Sequence, residues 1–450
     1  MNTKFIPFEW WQEPPKYFIT YYGDILFGRV VKQNNDGSFY ILTNNNAQEF
    51  QNRNDENKYE ELCDKISDIS IIKGVVPHLN YADTQPPQSV STSGEIYSKL
   101  FVFGAGASRY CIFDDEKETF EKDFQWKPPL GFEIFHRNYS EIIDKYKEIK
   151  TFIPYYINHQ KDIEATLEAE WQDITSCYNP SLLLRHTQVM FYIRDLIRKV
   201  SEETIRHFNN NLYCLLMDKL NRYLCKNKNE RFILVSFNYD TILDHYIQQI
   251  FGYQYNNLND YIDTVNNKVI LVKPHGSWNW GWKINKEKIQ NSSLYSYITE
   301  NKLTLADIYY NLISNFAFYS WGYEAMLNEK QIGRYKPNRN AISTLSNEKI
   351  NNSFPAILMP YRNKDEIMMS YRMFDASRFL VNRIKEIYLI GWKGNERIFN
   401  KHVLENATGA EKIIIVNPNP DEVIKNINIP FKGERITYSS FEEFVTQHTF

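Results

Sequence analysis

From Lys99 onward the chain alternates short, uninterrupted apolar runs with longer stretches of helical periodicity. The runs are LFVF (100–103), FILVSF (232–237), VILVKP (269–274), AILMP (356–360), IYLIG (387–391) and KIIIV (412–416). Runs that are continuous rather than alternating predict strands covered on both faces. Their separation by helical segments predicts a mostly parallel, Rossmann-like α/β sheet. Between 140 and 230, the stretches DIEATLEAEWQDI and LLLRHTQVMFYIRDLIRKV space their apolar residues as helices do, which predicts a helical layer inserted between the first two strands. A second insertion, about 281–350, carries Tyr295, Tyr309, Tyr310, Phe316, Phe318 and Trp321. It reads as a helical subdomain with its own core rather than a platform on which bases stack.

Ahead of this region the pattern changes. YFITYY, ILFGRVVKQ, the turn NNDGS and FYILT, spanning 17–43, predict a small β-meander whose Asp-Gly pair marks a tight hairpin. His78–Glu95 is rich in Pro, Ser, Thr and Gln and reads as a linker. The expected organisation is a β-rich N-terminal module with its linker over 1–95 and an α/β domain over 96–450. No internal repeat is visible.

Composition narrows the classes. A chain of 450 residues, 43% hydrophobic and 16% aromatic, has material for a large core. A net charge of −3 lacks the electrostatic footprint of a dedicated nucleic-acid binder and suits a nucleotide-sized ligand. The N-terminus has no basic start followed by an apolar leader, and no apolar run approaches the roughly 20 residues of a membrane helix, so a cytoplasmic protein without membrane association is expected. Cys63, Cys111, Cys177, Cys214 and Cys225 are scattered with no CxxC pair, which predicts buried thiols rather than a disulfide framework or a metal centre.

In open α/β sheets ligands bind beyond the carboxyl ends of the strands, so the residues there are the candidates. After the first strand come Gly104, Ala105, Gly106, Ala107 and Ser108, either a loop bringing a phosphate onto backbone N–H groups or a structural tight turn. After the second come Asn238, Tyr239, Asp240 and Thr241. Here an amide and a carboxylate stand at the sheet mouth, able to hold ribose hydroxyls or water, while Asp240 or Thr241 could equally cap the following helix. His275 follows the third strand in KPHGSW and carries the side chain best suited to move a proton near neutral pH, unless it is a satisfied turn residue. Trp278, Trp280 and Trp282 read as packing. The turn Gly391-Trp392-Lys393-Gly394-Asn395 and the pair Asn417-Pro418 end two further strands. Polar or Gly-containing turns at successive strand ends are what a dinucleotide crevice requires.

The ordered set GAGAS, PPLG (128–131), DIE (162–164), SFNYD, KPHGSW, PAILMP, IG and VNP resembles the sirtuin-like NAD-consuming domain of bacterial antiphage defence proteins, over about residues 96–450. The resemblance implies NAD as substrate, cleaved at its bond to nicotinamide. It implies Gly104, Ala105, Gly106 and Ser108 at the pyrophosphate, Asn238 and Asp240 as the family's N-x-D, His275 as its catalytic histidine, and Gly391 and Asn417 at phosphate and adenosine ribose. Two features depart from the deacylating sirtuins: Phe237 stands where they carry Gln, and the four-cysteine zinc module has no counterpart. Trp392-Lys393 also replaces the family's G-x-S turn after Gly391.

The expected function is therefore NAD glycohydrolysis by a regulated defence effector that depletes NAD. An ADP-ribosyltransferase or deacylase, and a non-catalytic NAD or ADP-ribose sensor, are the alternatives. Because unregulated NAD loss is toxic, residues 1–95 are expected to gate, oligomerise or dock a partner. The expected partners are further copies of the chain, or a separate sensor such as a nucleic-acid-handling ATPase or nuclease.

Overall fold

In a computed structural model of the chain the described residues are 16–20, 25–33, 39–43, 64–66, 69–71 and 96–450, except 117, 119, 121–123, 160–161, 177–178, 256–257, 264–265, 285–299, 301, 303–312, 319–352, 361–380, 428 and 430. The chain divides into two compact units, Met1–His78 and Leu79–Phe450. The turn 34–38 and the whole segment 78–95 lie outside the described residues.

The first unit contains β1 (Lys16–Thr20), β2 (Ile25–Gln33), β3 (Phe39–Thr43), β4 (Asp64–Ile66) and β5 (Ile69–Ile71). They form one antiparallel sheet in the order β4–β3–β2–β1–β5, with consecutive pairing of β1, β2 and β3 as a meander requires.

The second unit opens with β6 (Ile96–Phe103) and the five-residue α1 (Ala105–Arg109). Helices α2 (Ser140–Ile143), α3 (Lys147–Asn158), α4 (Ile163–Ser176), α5 (Pro180–His207) and α6 (Leu212–Lys226) then fill the interval before β7 (Glu230–Ser236), where helical periodicity was read. Their starts are local chemistry. Asn179 accepts from Leu182 N–H ahead of Pro180, and Asn211 accepts from the N–H groups of Tyr213 and Cys214. The chain continues through α7 (Ile242–Phe251) and β8 (Val269–Val272), then β9 (Gly276–Ile284), β10 (Ile313–Phe318) and β11 (Ser353–Ile357). It closes with β12 (Glu386–Ile390), α8 (Arg397–His402), β13 (Lys412–Val416), α9 (Pro420–Asn426), β14 (Glu434–Tyr438) and α10 (Phe441–Gln447).

Six strands pair in parallel in the order β14–β13–β12–β6–β7–β8. Counted along the chain this is the Rossmann order 3-2-1-4-5-6, with its switch point between β6 and β12. The central strands are fully buried: Leu100–Phe103, Phe232–Val235, Val269–Val272 and Ile387–Ile390 are essentially inaccessible to solvent.

Three expectations are corrected. AILMP is not a strand of the main sheet: Ser353–Ile357 pairs antiparallel with β9, in the three-stranded sheet β10–β9–β11. An apolar run does not say which sheet it joins. The sixth parallel strand is instead ERITY, an edge strand with mostly exposed and half-exposed side chains and hence no apolar run to find. Within 281–350, residues 281–284 and 313–318 are strand rather than helix, the first because HGSWNWGWK alternates with period two and is aromatic-rich; most of the rest of this insertion lies outside the described residues. Tyr295, Tyr309, Tyr310 and Trp321 lie outside the described residues. Among the described cysteines Cys111 is buried as expected, Cys214 is half-buried and Cys225 is exposed.

Candidate functional site

A cavity of about 830 Å³ lies at the carboxyl edge of the parallel sheet. All of Gly104, Ala105, Gly106, Ser108, Asn238, Asp240, His275, Gly391 and Asn417 line it, together with Pro128–Gly131 and Asp162–Glu164. Residues some 300 positions apart in sequence meet here because β6 and β12 are neighbours at the switch point.

The turns after these two strands are stitched together. Gly104 N–H donates to Ile390 O (3.0 Å), Gly106 N–H to Gly391 O (3.0 Å), and Gly391 N–H to Val416 O (2.9 Å). Gly391 has φ +58°, and a Cβ there would stand 2.1 Å from Ala107 N; a Cβ on Gly104 would stand 2.6 Å from Gly391 O. The two alternatives read from the sequence thus divide by atom. The glycines' missing Cβ atoms and two of the loop's amides serve a tight turn between strands, while residues 104–108 as a whole line the cavity.

Asn238 is anchored to that loop. Its Nδ2 donates to Gly104 O (2.9 Å) and to Ser108 Oγ (2.8 Å), which uses both amide protons. Among the described residues, Oδ1 is left to accept from a ligand hydroxyl or a water. Ser108 is buried beneath it, with its hydroxyl 3.1 Å from Tyr213 Oη. Asp240 is buried, and its Oδ1 accepts the Ile242 N–H (3.1 Å) in an Asx turn that leads into α7, whose N-cap residue Thr241 makes no side-chain cap bond. Burial pushes its carboxyl above the usual range, against the pull of the nearby Lys273 ammonium.

His275 is buried on the turn between β8 and β9, its ring 4.9 Å from Phe237 and 6.3 Å from Tyr239. Phe237 in turn stacks on Trp392 at 5.5 Å, and the Trp392 indole N–H donates to Glu396. Burial, reinforced by the charges of Glu164 and Glu396, raises the Tyr239 phenol far above its ordinary value. Asn417 bridges the last two turns: Nδ2 donates to Trp392 O (3.2 Å) and Oδ1 accepts from Asn419 N–H (2.8 Å).

Sequence reasoning did not single out Tyr239, Glu396 or Arg109. Arg109 reaches from α1 to Pro128 O (3.4 Å) and Glu133 (3.3 Å), fixing the PPLG segment against the glycine loop. The only signal for Tyr239 was its place inside N-Y-D; nothing local marks the others. Among the described residues, Arg109 and Lys393 are the arginine and lysine side chains lining the cavity, against carboxylates from Asp114, Asp162, Glu164, Asp240, Glu396, Glu422 and Glu442. Trp278 and Trp280 are buried packing residues, and the Trp282 side chain lies outside the described ones. Among the described residues no group of three or more His, Cys, Asp or Glu is placed to hold a metal ion, and no helix is long and apolar enough to cross a membrane.

No family model matches the chain, and no curated protein matches it. Among the solved chains that match, one described as "The Structural basis of Sirtuin Substrate Affinity" shares 10% identity, with 78% of this chain and 92% of that chain covered and a TM-score of 0.29. A likeness of that size carries no argument about the site, and the strand order itself makes the chain a Rossmann-like α/β protein with a mostly parallel six-stranded sheet.

Proposed function

We propose that the protein hydrolyses NAD to nicotinamide and ADP-ribose in this cavity. The observation that supports the reading is the meeting of the glycine loop, Asn238, Asp240 and His275 around one space at the switch point. The residues fit the substrate. A cavity of about 830 Å³ is within the range of small-ligand sites, roughly 300–1,000 Å³. Lys393, exposed beside Gly391, offers a counter-charge for pyrophosphate, and the carboxylates outnumbering it suit a substrate whose reacting ring is cationic.

In the reaction the bond from ribose C1′ to the pyridinium nitrogen breaks, and its electron pair neutralises the ring. A bond forms from water oxygen to C1′, and the water releases one proton. The transition state is oxocarbenium-like, so the protein's task is to position ribose, stabilise positive charge and present water. Asn238 Oδ1 holds the water or a ribose hydroxyl, and Nδ2 keeps the amide oriented through Gly104 and Ser108. His275 accepts the proton. Asp240, when ionised, favours the developing charge.

The reading extends to regulated NAD depletion in bacterial antiphage defence, with residues 1–95 as a gating or assembly surface and a sensor partner or self-assembly as trigger. That extension rests on the sequence resemblance alone. The test is product analysis with NAD labelled in the adenosine half. Free labelled ADP-ribose is expected. Label on a macromolecule would indicate a transferase instead, and saturable binding without turnover would indicate a sensor, the alternative that the Trp392-Lys393 turn favours.

A further inference from the structure

Beneath the cavity lies a charged pair that the mechanism above does not use. Lys273, the last residue but one before His275, and Asp244 on α7 are both fully buried, with Nζ and Oδ2 3.0 Å apart. Burying an ammonium and a carboxylate costs more than their attraction returns unless their remaining hydrogen-bonding capacity is met. Here it is met by one main-chain oxygen of the site and by three side chains around it. Lys273 Nζ donates to the main-chain oxygen of Asp240 (2.5 Å), to Asp244 Oδ2 (3.0 Å) and to Ser277 Oγ (3.0 Å), which uses all three protons. Asp244 Oδ1 accepts from Tyr261 Oη (2.9 Å). Ser277 Oγ passes the tie on to Tyr239 O (3.2 Å). Two more bonds run parallel to it: Trp278 N–H to Tyr239 O (3.0 Å) and Trp278 Nε1–H to Thr241 Oγ1 (3.0 Å). The turn carrying Asn238 and Asp240 is thus fastened to the turn carrying His275 by these bonds, with the Lys273 ammonium at their centre.

We propose that Lys273 is a positioning residue of this site, clamping the 238–241 turn to the 275–278 turn so that Asn238, Asp240 and His275 face one space in working register. The proposal rests on the hydrolase reading for its kinetic consequences, though not for its structural ones. Lys273 also sets the charge around Asp240. That carboxyl is faced by Lys273 from the residue after β8, Asp244 from α7, Tyr213 from α6, and Cys111 and the Ser108 hydroxyl from α1 and the residues after it. Of these, Lys273 is the cation opposing the rise that burial imposes.

Lys273→Met alone strands the Asp244 carboxylate, so the informative protein is the full chain carrying Lys273→Met with Asp244→Asn, which removes both charges and keeps an acceptor for Tyr261. With NAD as the probe, this variant is expected to unfold at nearly the wild-type temperature and to keep KM within about threefold. It should lose about 100-fold in kcat, the scale of a displacement near 1 Å at a reacting centre. The acidic limb of kcat/KM should stay close to the wild-type one, since the Lys273 ammonium that lowers the Asp240 carboxyl and the Asp244 carboxylate that raises it leave together, so that the loss falls on kcat alone. Unchanged kcat, or a kcat loss no larger than the accompanying loss of melting temperature explains, would overturn the proposal. If the wild-type chain releases no nicotinamide under any condition, the hydrolase reading fails by itself, and Lys273 is then decided by indole resonances in protein labelled with ¹⁵N-tryptophan. The Trp278 indole, bonded across both turns, shifts in the double variant if the clamp is real and stays in place if it is not.

Discussion

At the scale of single residues, the site separates groups that touch a ligand from groups that hold them. Asn238 gives both amide protons to Gly104 and Ser108, so only its carbonyl is available for chemistry. Asn238→Ala and His275→Ala are therefore expected to keep saturable ADP-ribose binding while losing about two to four powers of ten in nicotinamide release; calorimetric binding alongside product analysis checks this. Asp240 makes a different prediction. Its folded pKa lies above the unfolded value of a carboxyl, so the folded state binds the extra proton and stability falls as pH rises between the two values. Asp240→Asn keeps the acceptor for Ile242 N–H and removes this cost. The variant should melt higher than wild type at pH 7, with the gap closing as the medium is acidified toward the unfolded value, and it should be less active. Thermal melts across pH check the sign. The turn that Asp240 makes into α7 was legible as one of two alternatives for a carboxylate ahead of a helix, whereas the bonds from Asn238 to residues 104 and 108 were not, because they join segments 130 and more positions apart.

At the scale of elements, the strand ends carry the argument. Five of the six parallel strands announce themselves as apolar runs because both their faces are covered. β14 does not, since an edge strand such as ERITY buries too little to need one. β11 announced itself and was assigned to the wrong sheet, because burial fixes composition and not partner. The glycine turns show the same limit. A G-x-G after a strand has the same residues whether it approaches a phosphate or, as Gly104 and Gly106 do, the backbone of Gly391. Gly391→Ala forces a Cβ onto Ala107 N at a positive φ, and is expected to cost about 1–3 kcal/mol or more and to loosen the site with it. Denaturant melts of the variant, with Gly394→Ala beside the other end of the turn as a comparison, check whether the loss is specific.

The end of α10 gives a second prediction at this scale. His448 packs among Tyr388, Tyr438, Phe444 and Phe450, with its ring nitrogens 3.3 Å and 3.1 Å from the hydroxyls of Tyr388 and Tyr438. Burial lowers its pKa to about 4. The unfolded chain then binds the extra proton below the ordinary histidine value of about 6.5, so stability is complete at pH 7 and is lost as pH falls from there toward 4. His448→Gln should flatten the pH dependence of the melting temperature in that window. An equally steep profile in the variant would assign the acid sensitivity elsewhere.

At the scale of the whole molecule, the Rossmann-like sheet and the helical layer over 140–230 were legible because continuous apolar runs and 3.6-residue periodicity are consequences of burial on two faces and on one. The convergence of the site was legible only in outline. Candidate residues could be collected from strand ends, but the strand order that brings 104, 238, 275, 391 and 417 around one cavity depends on pairing, which no local pattern encodes. The charge balance of the cavity, with carboxylates outnumbering Arg109 and Lys393, likewise exists only once distant segments are assembled. The central claim is that this assembled space breaks the nicotinamide bond of NAD. The direct measurement is chromatographic: full-length protein incubated with NAD, alone and with DNA or host lysate, beside Asn238→Ala and His275→Ala. Equal release of nicotinamide and ADP-ribose by the wild type in at least one condition, absent in both variants, is the predicted result. Intact NAD in every condition, or release undiminished in the variants, would contradict it.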